Sequence, residues 1–139
     1  MNSRAKLTVV VMVVLAALLL GAGLALGLTP KTGSYVGQTA QGELVRLKVT
    51  NNGKRVSGFR TKAVVRCPGG RYYIPVFLPW SERISPRGRF TYYAYNDVAS
   101  IRIVGKFVTE RRVRGTFRAR FNDGTESCES GIVRWRAHA

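Results

Sequence analysis

Val113-Arg114-Gly115-Thr116-Phe117-Arg118-Ala119-Arg120-Phe121 alternates small or apolar residues with three cations and a threonine. Side chains of a β-strand point to opposite faces with period two. The stretch therefore reads as a strand, with Val113, Gly115, Phe117, Ala119 and Phe121 inward and Arg114, Thr116, Arg118 and Arg120 in water. The same alternation recurs along the chain. Val45, Leu47 and Val49 alternate with Arg46 and Lys48. Phe59, Thr61, Ala63, Val65 and Cys67 alternate with Arg60, Lys62, Val64 and Arg66. Ile101, Ile103, Gly105 and Phe107 alternate with Arg102, Val104 and Lys106, and Val133, Trp135 and Ala137 with Arg134 and Arg136. Residues 72–78 and 90–95 add two further strands, and Pro75 marks the first as an edge or a bulge.

Turn residues separate these runs: Asn51-Asn52-Gly53, Pro68-Gly69-Gly70, Pro86-Arg87-Gly88, Asn96-Asp97 and Asn122-Asp123-Gly124. No stretch after Leu28 has helical spacing over two turns. About eight short strands with tight turns predict an all-β domain, an antiparallel β-sandwich or a small β-barrel. Gly105 and Gly115 each share the inward face with a phenylalanine two residues on. A glycine there lets an aromatic ring lie over the backbone or lets the strand bend toward closure.

Ahead of the domain, Arg4 and Lys6 precede an apolar run from Leu7 to Leu28. About 20 apolar residues span a bilayer as a helix. Positive charge before the run places the N-terminus in the cytoplasm and the remainder outside. Ala25-Leu26-Gly27 offers small residues at a signal-peptidase site. Residues 1–28 are thus expected as a signal peptide or a membrane anchor, forming an N-terminal hydrophobic helix. Residues 29–33 are expected as a linker and 34–139 as one β-domain. Its expected location is secreted, or anchored to the outer face of the cytoplasmic membrane.

Without Arg4 and Lys6, 21 basic residues, 16 of them arginine, stand against 7 acidic ones, a net charge of about +14. A genome biased toward arginine explains the choice of cation but not the shortage of acids. Such imbalance costs self-repulsion and favours acidic partners. Outside a cell these are anionic lipid headgroups, wall polymers or acidic proteins; nucleic acid is not the expected partner.

Cys67 and Cys128 are the only cysteines. In an exported chain an even count points to one bridge. Two thiols with one distant histidine make a poor metal site, and no metal or cofactor is expected.

Nucleophilic catalysis of the Ser–His or Cys–His kind would have to use His138, the penultimate residue. A glycosidase needs only two carboxylates, and Glu82 with Asp97 flank an aromatic-rich region. Asp123, Glu126 and Glu129 cluster without the spacing of a calcium loop. A hairpin turn with acids answering nearby arginines accounts for them.

Tyr72, Tyr73, Trp80, Tyr92, Tyr93 and Tyr95 lie among arginines between residues 71 and 95. Most of these rings are expected in the core or in cross-strand pairs, with Trp80 the candidate for an exposed aromatic contact. The outward cations supply the candidate anion-binding set: Arg46, Lys48, Arg60, Lys62, Arg102, Lys106, Arg114, Arg118, Arg120, Arg134 and Arg136, with Arg66 beside them. On adjacent strands they would form a basic plate. The alternative is a solvated surface that blunts edge pairing.

Tyr35-Val36-Gly37-Gln38-Thr39, Gln41-Gly42, Cys67-Pro68-Gly69-Gly70, Gly88-Arg89-Phe90, Gly105-Lys106-Phe107, Gly115-Thr116-Phe117 and Cys128-Glu129-Ser130-Gly131 with Trp135 follow one another in order. In this the chain resembles a set of secreted, mostly actinobacterial β-domains over residues 33–137. The resemblance implies an exported β-domain with one disulfide. It brings no catalytic residue and no ligand. The expectation from the sequence is an exported, non-enzymatic β-domain that meets an anionic envelope partner through a basic face. A protein-interaction module, such as an inhibitor or an envelope-complex subunit, is the alternative. An enzyme acting on wall polysaccharide is the third.

Overall fold

Ten strands follow one another in the computed structural model, which describes residues 27–122 and 124–139. They are β1 (Gly33–Thr39), β2 (Leu44–Thr50), β3 (Arg55–Cys67), β4 (Gly70–Phe77), β5 (Glu82–Arg83), β6 (Arg89–Tyr95), β7 (Ala99–Thr109), β8 (Arg112–Asn122), β9 (Ser127–Glu129) and β10 (Val133–His138). All pairings are antiparallel. The ring β10-β1-β2-β3-β9-β8 closes on itself through β8–β10 pairing, making a six-stranded barrel. β7 and β6 continue outward from β8, while β4 and β5 pair with the far edge of β3. Of sandwich and barrel, the fold is the barrel. The expected N-terminal helix and cleavage site lie outside the described residues, save Gly27 and Leu28. Among the described residues no helix is long and apolar enough to cross a membrane.

Alternation does what it predicts in the long strands. Val45, Leu47, Val49, Phe59, Ala63, Ile103, Phe107, Val113, Phe117, Val133, Trp135 and Ala137 all enter one core. Phe121 does not. β8 runs past the last buried layer there, and the ring stands at the barrel rim, exposed. β3 changes phase at Gly58: the register to β2 shifts between Arg46 and Lys48, and Gly58 adopts φ +59°. This extra residue keeps both Val56 and Phe59 inward.

The two inward glycines make room for rings. Phe90, Gly105, Gly115 and Trp135 lie opposite one another across β6, β7, β8 and β10. A Cβ on Gly105 would sit 2.2 Å from the Phe90 ring. One on Gly115 would sit 1.9 Å from the Val104 carbonyl oxygen and 2.7 Å from the Trp135 ring. The Phe90 and Trp135 rings are 6.2 Å apart, and Phe59 meets Trp135 edge-on at 5.0 Å.

Residues 29–33, expected as a linker, lie against the barrel end. Pro30 is buried, Leu28 packs on the core, and the Lys31 N–H donates to the Glu110 carbonyl at 2.7 Å. The buried Tyr35 hydroxyl is within hydrogen-bond distance of the Lys31 and Glu110 carbonyls, at 2.8 and 2.7 Å. Burial pushes this phenol above its ordinary value, against the opposing effect of the Lys31 hydrogen bond. Residues 28–138 thus supply a complete ring of paired strands, one continuous core and a disulfide, so segment 27–139 folds as a unit.

One edge of β3 needs three partners in turn. β2 pairs with its first part, then the Gln41 amide pairs with the Val64 backbone, and β9 pairs at Arg66. Gln41 Nε2 donates to the Val64 carbonyl at 3.1 Å, and its Oε1 accepts from the Val64 N–H at 2.9 Å. The side chain copies a strand where none is present.

β9 is the closing seam. Its ladder to β3 is the single pair Arg66–Glu129. The Cys67–Cys128 disulfide, with Cα atoms 4.3 Å apart, adds a covalent tie beside it. Glu129 accepts from Arg118 Nε at 2.6 Å and lies 3.5 Å from Arg120 Nε. The hydrogen bond from Arg118 holds its carboxyl below the ordinary glutamate value. The Ser130 hydroxyl accepts from the Ala119 N–H at 2.9 Å, and Gly131 turns the chain at φ +66°.

Candidate functional site

The outward cations gather where β6, β7, β8 and β10 lie side by side. Register sets Arg89 opposite Lys106, Lys106 opposite Arg114, and Arg114 opposite Arg136. Strands about 4.8 Å apart make this a row about 14 Å long. Beyond Arg136 the row reaches Gln38 on β1. With Arg134, these five cations rim an open groove of about 780 Å³. Its floor is Val104, Thr116, the backbone of Gly105 and Gly115, and Trp135, and among the described residues no carboxylate lines it.

This arrangement is costly in the protein alone. Like charges directly opposite across a sheet are destabilising. Cations that merely discourage edge pairing belong on edges. Arg114 instead stands on β8, hydrogen-bonded on both sides by β7 and β10.

Lys106, Arg114, Arg134 and Arg136 are brought together on this wall, and Arg89 joins them. Arg89 escaped the reading by alternation because it opens its strand, next to the Pro86-Arg87-Gly88 turn. Further along the same wall, Arg102 lies opposite Arg118, and Arg120 opposite Ser100. Arg118 and Arg120 are engaged by Glu129. The remaining cations lie across the barrel: Arg46 opposite Arg60, with Lys48 and Lys62 beside them. The candidate cations thus divide between two opposite walls.

The aromatic expectation needs correcting. Of the six rings only Tyr92 is buried; Tyr72, Tyr73, Tyr93 and Tyr95 are exposed. β4 and β6 hang outside the closed ring, each strand-paired along one edge only, and their ends pass beyond the core. Tyr93 and Tyr95 stack at 5.4 Å on the outer wall, with Tyr93 opposite Arg102. Trp80 is 61% exposed, meets Tyr92 edge-on at 5.5 Å, and donates through Nε1 to Glu82 Oε1 at 2.8 Å.

Glu82 thus holds an indole, and Asp97 occupies the β6–β7 turn; neither lines the groove between β6 and β10 or the one on β2, β3 and β4. Asp123 lies outside the described residues. Among the described residues, ligand atoms of Cys67, Glu126 and Cys128 come within 4.8 Å of one another, but both sulfurs belong to the disulfide and are not thiolate ligands. Comparison with protein-family models, curated proteins and solved structures found no match.

Proposed function

We propose that the domain is a non-enzymatic, extracytoplasmic binding module whose β6-β7-β8-β10 wall holds an anionic polymer of the cell envelope. The row Arg89, Lys106, Arg114 and Arg136 carries the reading. Its repulsion is unfavourable alone and becomes favourable when phosphates or carboxylates sit between the cations. The floor of threonine, valine and glycine backbone leaves room for a chain to lie along it. The disulfide agrees with an oxidising compartment, as the exported reading requires.

Binding of inorganic polyphosphate to oxidised residues 27–139, at low and high salt, tests this. Saturable binding that weakens steeply with salt, and drops about 100-fold or more in Lys106→Glu with Arg114→Glu, is expected. Equal binding by that variant sinks the proposal. An acidic protein partner is the second reading, supported by the exposed Tyr93–Tyr95 pair beside Arg102, a residue mix enriched at protein interfaces.

A further inference from the structure

The opposite wall is built differently. On the outer faces of β2, β3 and β4, Arg46 lies opposite Arg60, Arg60 opposite Phe77, Lys62 opposite Pro75, and Val64 opposite Tyr73. Leu44, Pro75 and Phe77 share an open groove of about 700 Å³ with Arg46, Arg60 and Lys62; Glu43 is its one acid among the described residues. Leu44 is 48% exposed, Phe77 51% and Tyr73 67%. Large apolar side chains left this open, contiguous and rimmed by cations, mark a surface that is covered in use.

We propose that this wall docks on an anionic lipid bilayer. Arg46, Arg60 and Lys62 meet the headgroups, while Leu44, Phe77 and Tyr73 settle at the boundary between headgroups and acyl chains. Two kinds of attraction are on offer here, and a bilayer answers both. A soluble polyanion would satisfy the cations and leave Leu44 and Phe77 in water. Position favours the same occupant. Among the described residues β4 is paired only to β3, so Tyr73, Pro75 and Phe77 stand on a flank that a flat surface can approach. The inference rests on residues separate from the polymer groove: in the ring, β2 and β3 lie across from β8 and β10.

Co-sedimentation of oxidised residues 27–139 with vesicles tests it, using phosphatidylglycerol–phosphatidylcholine mixtures and phosphatidylcholine alone at low and high salt. Partition into the anionic vesicles is expected, reduced by salt but not abolished, because the apolar contribution is not screened. Arg46→Glu with Arg60→Glu should lower partition about 25-fold or more, at about fivefold per cation. Leu44→Ser with Phe77→Ser should lower it about tenfold and remove what survives at high salt. Both side chains are half exposed, so the fold is expected to hold; an unchanged melting curve verifies it. Lys106→Glu with Arg114→Glu should leave partition within about twofold, and a loss there as large as on the Arg46 wall overturns the proposal. So does unchanged partition of the Leu44–Phe77 variant. Loss of polyphosphate binding, without loss of vesicle binding, in the Arg46–Arg60 variant assigns the wall to a soluble polyanion and also overturns it.

Discussion

Both walls of the barrel carry arginine opposite arginine, yet the residues between the cations differ in kind. On the β6-β7-β8-β10 wall the spaces hold Val104, Thr116 and glycine backbone, with the buried Trp135 beneath. On the β2-β3-β4 wall they hold Leu44, Pro75 and Phe77. Charge alone makes the walls alike, and net charge is all that composition reports. If the two proposals hold, the chemistry of the gaps is what assigns a polar chain to one wall and a bilayer boundary to the other. A basic face is therefore read by what stands between its cations.

The strongest way to break the contrast is to open the barrel that holds the walls apart. Cys67→Ala with Cys128→Ala removes a tie across 61 residues and should lower stability by about 4 kcal/mol. Chemical denaturation with the disulfide formed and absent measures it. Polyphosphate and vesicle binding should fall together as the fold is lost; a wall that keeps its ligand when the other fails would be a local element.

Charge reversal at Lys106 and Arg114 sharpens the contrast, because it touches one wall only. Two charge-assisted contacts are lost, and polyphosphate affinity should drop about 100-fold or more. Titration calorimetry reads this, and a shallower salt dependence should accompany it.

Gly115→Val strikes the groove from beneath. The new side chain meets the Val104 carbonyl and the Trp135 ring, and overpacking of this kind costs about 1–3 kcal/mol. Thermal melting should detect it, together with weaker polyphosphate binding and unaltered vesicle partition per folded molecule. An unchanged melting temperature would show that Gly115 does not carry the rings.

Glu129 gives the smallest effect. Its carboxyl sits below the ordinary glutamate value of 4.5 because Arg118 donates to it. Its contribution is therefore complete above that value and is lost as pH falls through the lower folded-state value. This side chain is well exposed, so Glu129→Gln should cost no more than about 1 kcal/mol. Denaturation curves from neutral to acid pH should show wild type and variant converging.

Much of the barrel was readable because its long strands have one buried and one wet face. β2, β7, β8 and β10 follow from alternation alone, and the bridge from the cysteine count. β1 was missed as a strand because Tyr35 is its only large buried apolar residue; Gly37 and Thr39 fill the other inward positions. β5 and β9, of two and three residues, are too short to show a period. Sandwich and barrel share the same alternation, and closure depends on β8–β10 and β3–β9 pairs that no local pattern carries. Alternation marks the cations as outward, but their division between two walls needs the register. Phe121 kept the inward phase yet ran past the core. The exposed tyrosines follow from β4 and β6 lying outside the ring, which their aromatic composition conceals.

A barrel is only as closed as its weakest joint, and here that joint is a three-residue strand with one rung toward β3. With the thiols free, that rung alone would join β9 to β3 in the ladder, and the sheet could breathe open along the line dividing the two walls. Oxidation acts as a latch. In reducing surroundings the seam would rest on that one rung, so the Cys67–Cys128 bond completes the closure that keeps the two walls on opposite sides of one core.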